Sequence, residues 1–153
     1  MKKVLMTMAA LLLVLAVCSG CETSSSKSFT FDVDTGDSIK IEMDTSGGEY
    51  DITSTVPFEI TKSDEVVTEG RFLFEEAYTE YVEAVNIDTE ATILDSGVTA
   101  NDNEYVFWTF AEQEFNYVIM VDESQTALLL ANEVSRESAE ACFQRLTISV
   151  DRD

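Results

Sequence analysis

Glu104-Tyr105-Val106-Phe107-Trp108-Thr109-Phe110-Ala111-Glu112-Gln113-Glu114-Phe115-Asn116-Tyr117-Val118-Ile119-Met120-Val121 is the stretch that decides the fold. Successive side chains on a strand point to opposite faces. The first half therefore sets Tyr105 and Phe107 on one side and Val106, Trp108 and Phe110 on the other. The second half sets Phe115, Tyr117, Ile119 and Val121 on one side, with Val118 and Met120 opposite. Glu112-Gln113-Glu114 between them makes the pair a hairpin. Strands apolar on both faces are central strands covered on both sides. Ala127–Ala131 is also apolar on both faces and belongs with them.

C-terminal to this block, Ser135 is a good helix N-cap, and Glu137 lies in the first turn where the helix dipole favours a negative charge. Ala139, Cys142, Phe143 and Leu146 follow at helical spacing, and Thr147–Val150 ends the chain as a strand. N-terminal to the block, Ala77, Tyr78, Tyr81, Val82 and Val85 give one apolar stripe to a helix over Glu75–Asn86. Thr92–Leu94 reads as a short strand and Asp95–Asn103 as a loop.

Before that helix the pattern is a meander of short strands. Phe29–Asp34 and Ser38–Met43 alternate cleanly, and Tyr50 and Ile52 continue the alternation. Pro57 precedes a strand over Phe58–Thr61. Glu69-Gly70 reads as a link between strands at Glu65–Thr68 and Arg71–Phe74. The predicted class is α+β: a mostly antiparallel sheet of seven to nine strands with two amphipathic helices. An α/β/α sandwich is one arrangement open to it.

Charge excludes whole classes of function. The chain has 30 acidic and nine basic residues, a formal net charge of −21. The part after Cys21 keeps every acidic residue but loses Lys2 and Lys3, so it stands at seven minus 30, or −23. Nucleic-acid binding needs clustered Lys and Arg to neutralise phosphates, and that is excluded. There is no histidine, which removes Ser-His-Asp and Cys-His catalysis and imidazole metal sites. No cofactor motif is present: neither a phosphate-cradling Gly-rich loop nor a zinc pattern.

The first residues carry a different message. Lys2 and Lys3 precede an apolar run, Val4–Val17, interrupted only by Thr7. A spanning helix needs about 20 apolar residues, so this run suits the apolar part of an export signal. Cys18-Ser19-Gly20-Cys21 ends it. This resembles the lipobox of bacterial lipoproteins, in which the cysteine after two small residues receives a diacylglyceryl group. The resemblance covers about the first 21 residues and implies lipidation at Cys21. The alternative frame, Leu15-Ala16-Val17-Cys18, places the lipid on Cys18. The division that follows is a signal peptide over 1–20, a lipidated cysteine with a flexible Ser-rich tether over 21–28, and one extracytoplasmic domain over 29–153. With Cys18 cleaved away and Cys21 acylated, Cys142 is left without a disulfide partner.

The element order of the last third resembles the PsbP/Mog1-type sandwich found in some bacterial lipoproteins. That resemblance implies a role in binding and carries no site residues across.

Several local patterns are candidate sites. Asp32, Asp34 and Asp37 resemble the start of an EF-hand loop, but position twelve is Met43 rather than Glu. A calcium site of another geometry would draw on those three carboxylates. Trp108, Phe107, Phe110, Phe115 and Tyr117 are either an aromatic platform or core, and their place in the most apolar strands favours core. Cys142 lies on an apolar stripe without an adjacent cation to lower its pKa, which favours burial over reactivity. Ser24-Ser25-Ser26-Lys27 matches S-x-x-K, but it lies in the tether.

The expected function is a non-enzymatic binding or accessory module. Its partners would be the membrane, through the N-terminal lipid, and a protein or small ligand outside the cell. The alternatives are a carboxylate-dependent hydrolase of cell-envelope glycan and an acidic envelope protein that binds divalent cations.

Overall fold

Alternation and stripe together build two antiparallel sheets and two helices. The computed structural model describes residues 24–152. The strands are β1 (Ser26–Asp32), β2 (Ser38–Asp44), β3 (Tyr50–Ile52), β4 (Phe58–Lys62), β5 (Glu65–Phe74), β6 (Ala91–Val98), β7 (Glu104–Phe110), β8 (Glu114–Met120), β9 (Thr126–Asn132) and β10 (Leu146–Val150). Helix α1 spans Glu75–Ile87 and α2 spans Arg136–Gln144. The class is α+β, as the periodicity predicts, with a seven-stranded main sheet and three further strands in a second sheet.

Seven strands form one sheet in the order β3-β4-β5-β9-β8-β7-β6, and β1-β2-β10 form the other. The larger sheet is the middle layer. The smaller sheet and α2 cover one of its faces. Phe107, Tyr117, Ile119, Leu128 and Leu130 point into that interface and meet Ile39, Ile41, Ala139 and Cys142. On the other face Val106, Trp108 and Val118 are buried with Val85 of α1. The two sides assigned to the hairpin from sequence are therefore the two faces of the sheet.

Both helices start as their sequences dictate. Ser135 Oγ accepts from the Ser138 amide at 3.1 Å. Phe74, at the start of α1, has no capping side chain; the Glu75 amide instead donates to the Gln125 carbonyl at 3.0 Å. Glu75 and Glu76 place negative charge in that first turn.

Three boundaries differ from expectation, each for a physical reason. The two strands expected around Gly70 are one ten-residue strand, β5. Gly70 stands opposite Phe58 across the β4–β5 ladder, and a Cβ there would lie 2.0 Å from the Phe58 ring. The glycine makes room for a ring, not for a turn. Asp95–Val98, expected as loop, extends β6 past a bulge between Ile93 and Asp95. As an edge strand it tolerates the polar composition that hides it. The ladder of β1 begins at Ser26, three residues before the expected Phe29. Ser26, Lys27 and Ser28, read as tether, pair with Asp44, Met43 and Glu42.

Polar ties join the two sheets. Asn103 is buried; its Nδ2 donates to the Ile148 carbonyl and its Oδ1 accepts from the Asp122 amide, both at 2.9 Å. At the other end, Asp37 Oδ2 accepts from Thr126 Oγ1 at 2.7 Å and from the Gln125 amide at 2.8 Å.

Candidate functional site

The carboxylates singled out from sequence do not converge. Asp37 points at β9, where it accepts the two bonds just described. Asp32 Oδ1 accepts from Ser38 Oγ at 2.6 Å. Asp32 and Asp34 border a small opening of about 250 Å³ with Val33, Val56, Phe72 and Phe74. Among the described residues no three His, Cys, Asp or Glu side chains are placed to hold a metal ion. Cys21 and Cys18 lie outside the described residues, as does the leader. No helix among the described residues is long and apolar enough to cross a membrane.

Phe107, Trp108 and Tyr117 are core and Phe115 packs half-buried against it, whereas Phe110 is half-buried outside both clusters. Tyr117 lies between Phe107 and Phe143, with both ring centroids 4.1 Å away. Trp108 is on the opposite face, 5.9 Å from the Tyr81 ring. Burial first, and the nearby Glu140 second, push the Tyr117 hydroxyl well above its ordinary pKa. Cys142 is fully buried, and burial pushes its thiol up. Lys27 of the S-x-x-K run donates to Asp51 Oδ2 at 2.6 Å, and Ser25 Oγ is hydrogen-bonded to Thr45.

Every buried polar side chain among the described residues is neutral: Thr45, Thr68, Asn103, Thr109, Asn116, Thr126 and Asn132. A general acid for glycoside hydrolysis needs a carboxyl kept protonated, usually by burial. No carboxyl among the described residues is buried.

What the structure does offer is a groove. On the α1 face of the large sheet an open trough of about 490 Å³ lies beside α1. Leu73 of β5 and Leu129 and Ala131 of β9 form its floor. Tyr81 of α1 makes one wall; Val66 and Val134 flank it, 52% and 60% exposed.

The groove is lined by charges of both signs. Glu69, Arg71 and Glu133 line the groove, and Arg71 is held by Glu69 at 2.6 Å. Glu59 stands directly across the ladder from Glu69. Between Arg71 and Arg136 the sequence contains no lysine, arginine or histidine. All of α1 and β6 to β9 lies within that span, so every charged side chain on those elements is a carboxylate. Elsewhere, Lys27, Arg136, Arg145 and Arg152 each lie against a carboxylate: Asp51, Glu140, Asp44 and Glu123.

The groove was missed in the sequence. Its floor comes from strands whose apolar residues all read as core. The one available signal was the long span without a cation. No family model, curated protein or solved structure matches this chain.

Proposed function

We propose that this chain is a lipid-anchored, extracytoplasmic bacterial lipoprotein that works as a non-enzymatic binding module, with the groove beside α1 as its binding surface. The groove itself carries the reading: it is an open trough with an apolar floor of Leu73, Leu129 and Ala131 and charged residues beside it. The basic start, the apolar run Val4–Val17 and the small residues before Cys21 support export and lipidation. Two acyl chains on Cys21 are enough for stable anchoring. A body at −23 stays soluble and is repelled by anionic headgroups, so its surfaces remain free to meet a partner. The hydrolase and cation-binding alternatives have less support: no carboxylate is buried, and no three gather among the described residues.

Two measurements test the reading. Cys21→Ala should abolish palmitate labelling; labelling that persists there and vanishes in Cys18→Ala would move the anchor to Cys18. A photo-crosslinking amino acid at Val134 should give discrete protein adducts in living cells, whereas one at Lys40, on the far side of the small sheet, should not. Equal adducts at both positions, or none at Val134, would remove the groove from the function.

A further inference from the structure

We infer that the end of the sandwich where β1 begins lies against the headgroup layer of the bilayer that holds the N-terminal lipid, with the α1 and β6 side turned outward. This rests on the lipid-anchor reading and adds an orientation to it.

Chain length sets the first limit. Ser25 is already part of the fold: its Oγ is 2.9 Å from Thr45 Oγ1, and its carbonyl accepts from the Thr45 amide at 2.9 Å. Ser26 then opens the β1–β2 ladder opposite Asp44. Cys21 and Ser25 are four residues apart. A chain spans at most about 3.3–3.6 Å per residue, so a lipidated Cys21 lies within about 14 Å of Ser25. The large sheet alone, at about 4.8 Å per strand, is roughly 29 Å across. A link that short holds the Ser25 end at the bilayer. Charge then settles which way the rest of the body points.

The residues around Ser25 form one polar end. The turn from Thr45 to Glu49 meets the turn at Ser63, whose amide donates to the Glu49 carbonyl at 2.7 Å. The Arg145 carbonyl accepts from the Asp44 amide at 2.9 Å, which brings the end of α2 to the same place. Cations gather here. The Arg145 guanidinium and Lys62 Nζ lie 4.4 Å and 5.4 Å from the centroid of the Tyr50 ring, at the start of β3. Lys27 is bonded to the neighbouring Asp51. Three of the seven cations that follow Cys21 are therefore at this end, where they stand against Asp44, Glu49, Asp51 and Asp64.

The opposite side has no such balance. β3 and β6 are the two edges of the large sheet, and β2 contacts β3, so the Ser25 end belongs to the β3 edge. Residues 72–135 carry 14 carboxylates and no cation, and they supply α1 and β6 to β9. An anionic headgroup layer repels such a surface over a Debye length, about 8 Å at physiological ionic strength. The nearly balanced end at Ser25 meets far less of that repulsion. Link and field therefore select the same pose, with Ser25 at the bilayer and the β6 edge away from it.

Two single labels read the pose. The full, acylated chain would carry a nitroxide at Ser46→Cys, on the Ser25 end, or at Ser96→Cys, on β6, in phosphatidylcholine vesicles doped with a gadolinium-headgroup lipid. Ser46 is half-buried in its turn and Ser96 is exposed, so both accept a label, while Cys142 is fully buried and takes none. Relaxation of the nitroxide by gadolinium falls steeply with distance and should be several-fold faster at Ser46 than at Ser96. Adding phosphatidylglycerol should widen that gap. A Gly/Ser insertion of about 20 residues between Thr23 and Ser24, with a reach of about 25 Å, should shrink it in phosphatidylcholine. With Cys21 acylated, the inference would be overturned by equal relaxation at the two sites or by faster relaxation at Ser96. It would also be overturned by a gap that narrows with phosphatidylglycerol or that the insertion leaves intact. A chain that carries no acyl group and does not float with the vesicles would sink the anchored reading, and the pose with it.

Discussion

Leu128, Leu129 and Leu130 are neighbours on β9, yet they belong to different worlds. Leu128 and Leu130 face the small sheet and α2, where they are 0% and 2% exposed. Leu129 faces the other way and lines the groove. The same contrast runs across the whole large sheet. Its closed face meets two covering elements and packs Phe107, Tyr117, Ile119 and Leu128 to full or nearly full burial. Among the described residues its open face meets only α1, of which Val85 alone is buried while Tyr78, Tyr81 and Val82 are partly buried. One face holds the fold together. The other holds it together in part and leaves apolar surface unspent.

The largest expected effect separates those faces on a single strand. Leu128→Ala should cost about 2–5 kcal/mol, the usual range for a closed core site that cannot collapse. Leu129→Ala should cost less, about 1–2 kcal/mol, because Leu129 is only partly buried against the cluster under α1. Urea denaturation of the two variants measures the gap. Equal losses would mean that the open face is closed in solution.

A second variant probes how tightly the closed face is built. Gly70→Ala would put a methyl 2.0 Å from the ring of Phe58, itself fully buried. Something must shift, and overpacking of this kind costs about 1–3 kcal/mol. Phe58→Leu should make the same alanine nearly neutral, because a shorter side chain vacates the space. A double-mutant cycle in denaturant reads the coupling; additive losses would show that the ring is not what excludes a side chain at Gly70.

Gly70 also shows where the sequence stopped speaking. Glu69-Gly70 has the composition of a link, and only the position of Phe58 on a neighbouring strand reveals a close approach instead. Period-two alternation is local, so the hairpin of β7 and β8 and the two sides of each strand were legible. Ser135 was legible as a cap because a cap is a bond between near neighbours. The end of β6 was not, since an edge strand can be as polar as a loop. Asn103 read as a turn residue, and its ties to Ile148 and Asp122 are long-range. The groove was hardest of all. Leu129 looks like Leu128 and Leu130 in any local window, and whether a face is covered depends on how many elements the rest of the chain supplies. The charge asymmetry was printed in the sequence, but its meaning needed the groove beside it.

Thr109 tests the closed face in the stabilising direction. By alternation it points the same way as Phe107, it is 4% exposed, and its hydroxyl has no hydrogen-bond partner among the described residues. A buried hydroxyl left unpaired costs free energy that an isosteric methyl does not. Thr109→Val should therefore stabilise by about 1 kcal/mol and raise Tm by a few degrees. A lowered Tm would mean that the hydroxyl is satisfied, for instance by a water, and that this part of the face is wet.

The smallest effect appears only at high pH and again distinguishes the faces. Tyr117 on the closed side and Tyr78 under α1 both have raised pKa values, each with burial as the first cause. The unfolded chain ionises tyrosine near pH 10. A group that keeps its proton longer in the fold contributes stability that is present below that pH and is lost as pH rises through the folded value. Stability should therefore fall on the alkaline side, more steeply through Tyr117, whose shift is the larger of the two. Tyr117→Phe should flatten the decline of the urea midpoint between about pH 9.5 and 11.5, and Tyr78→Phe should flatten it less. If Tyr78→Phe flattened it as much, the space under α1 would be as dry as the interface behind it, and the difference between the two faces would lie in shape alone.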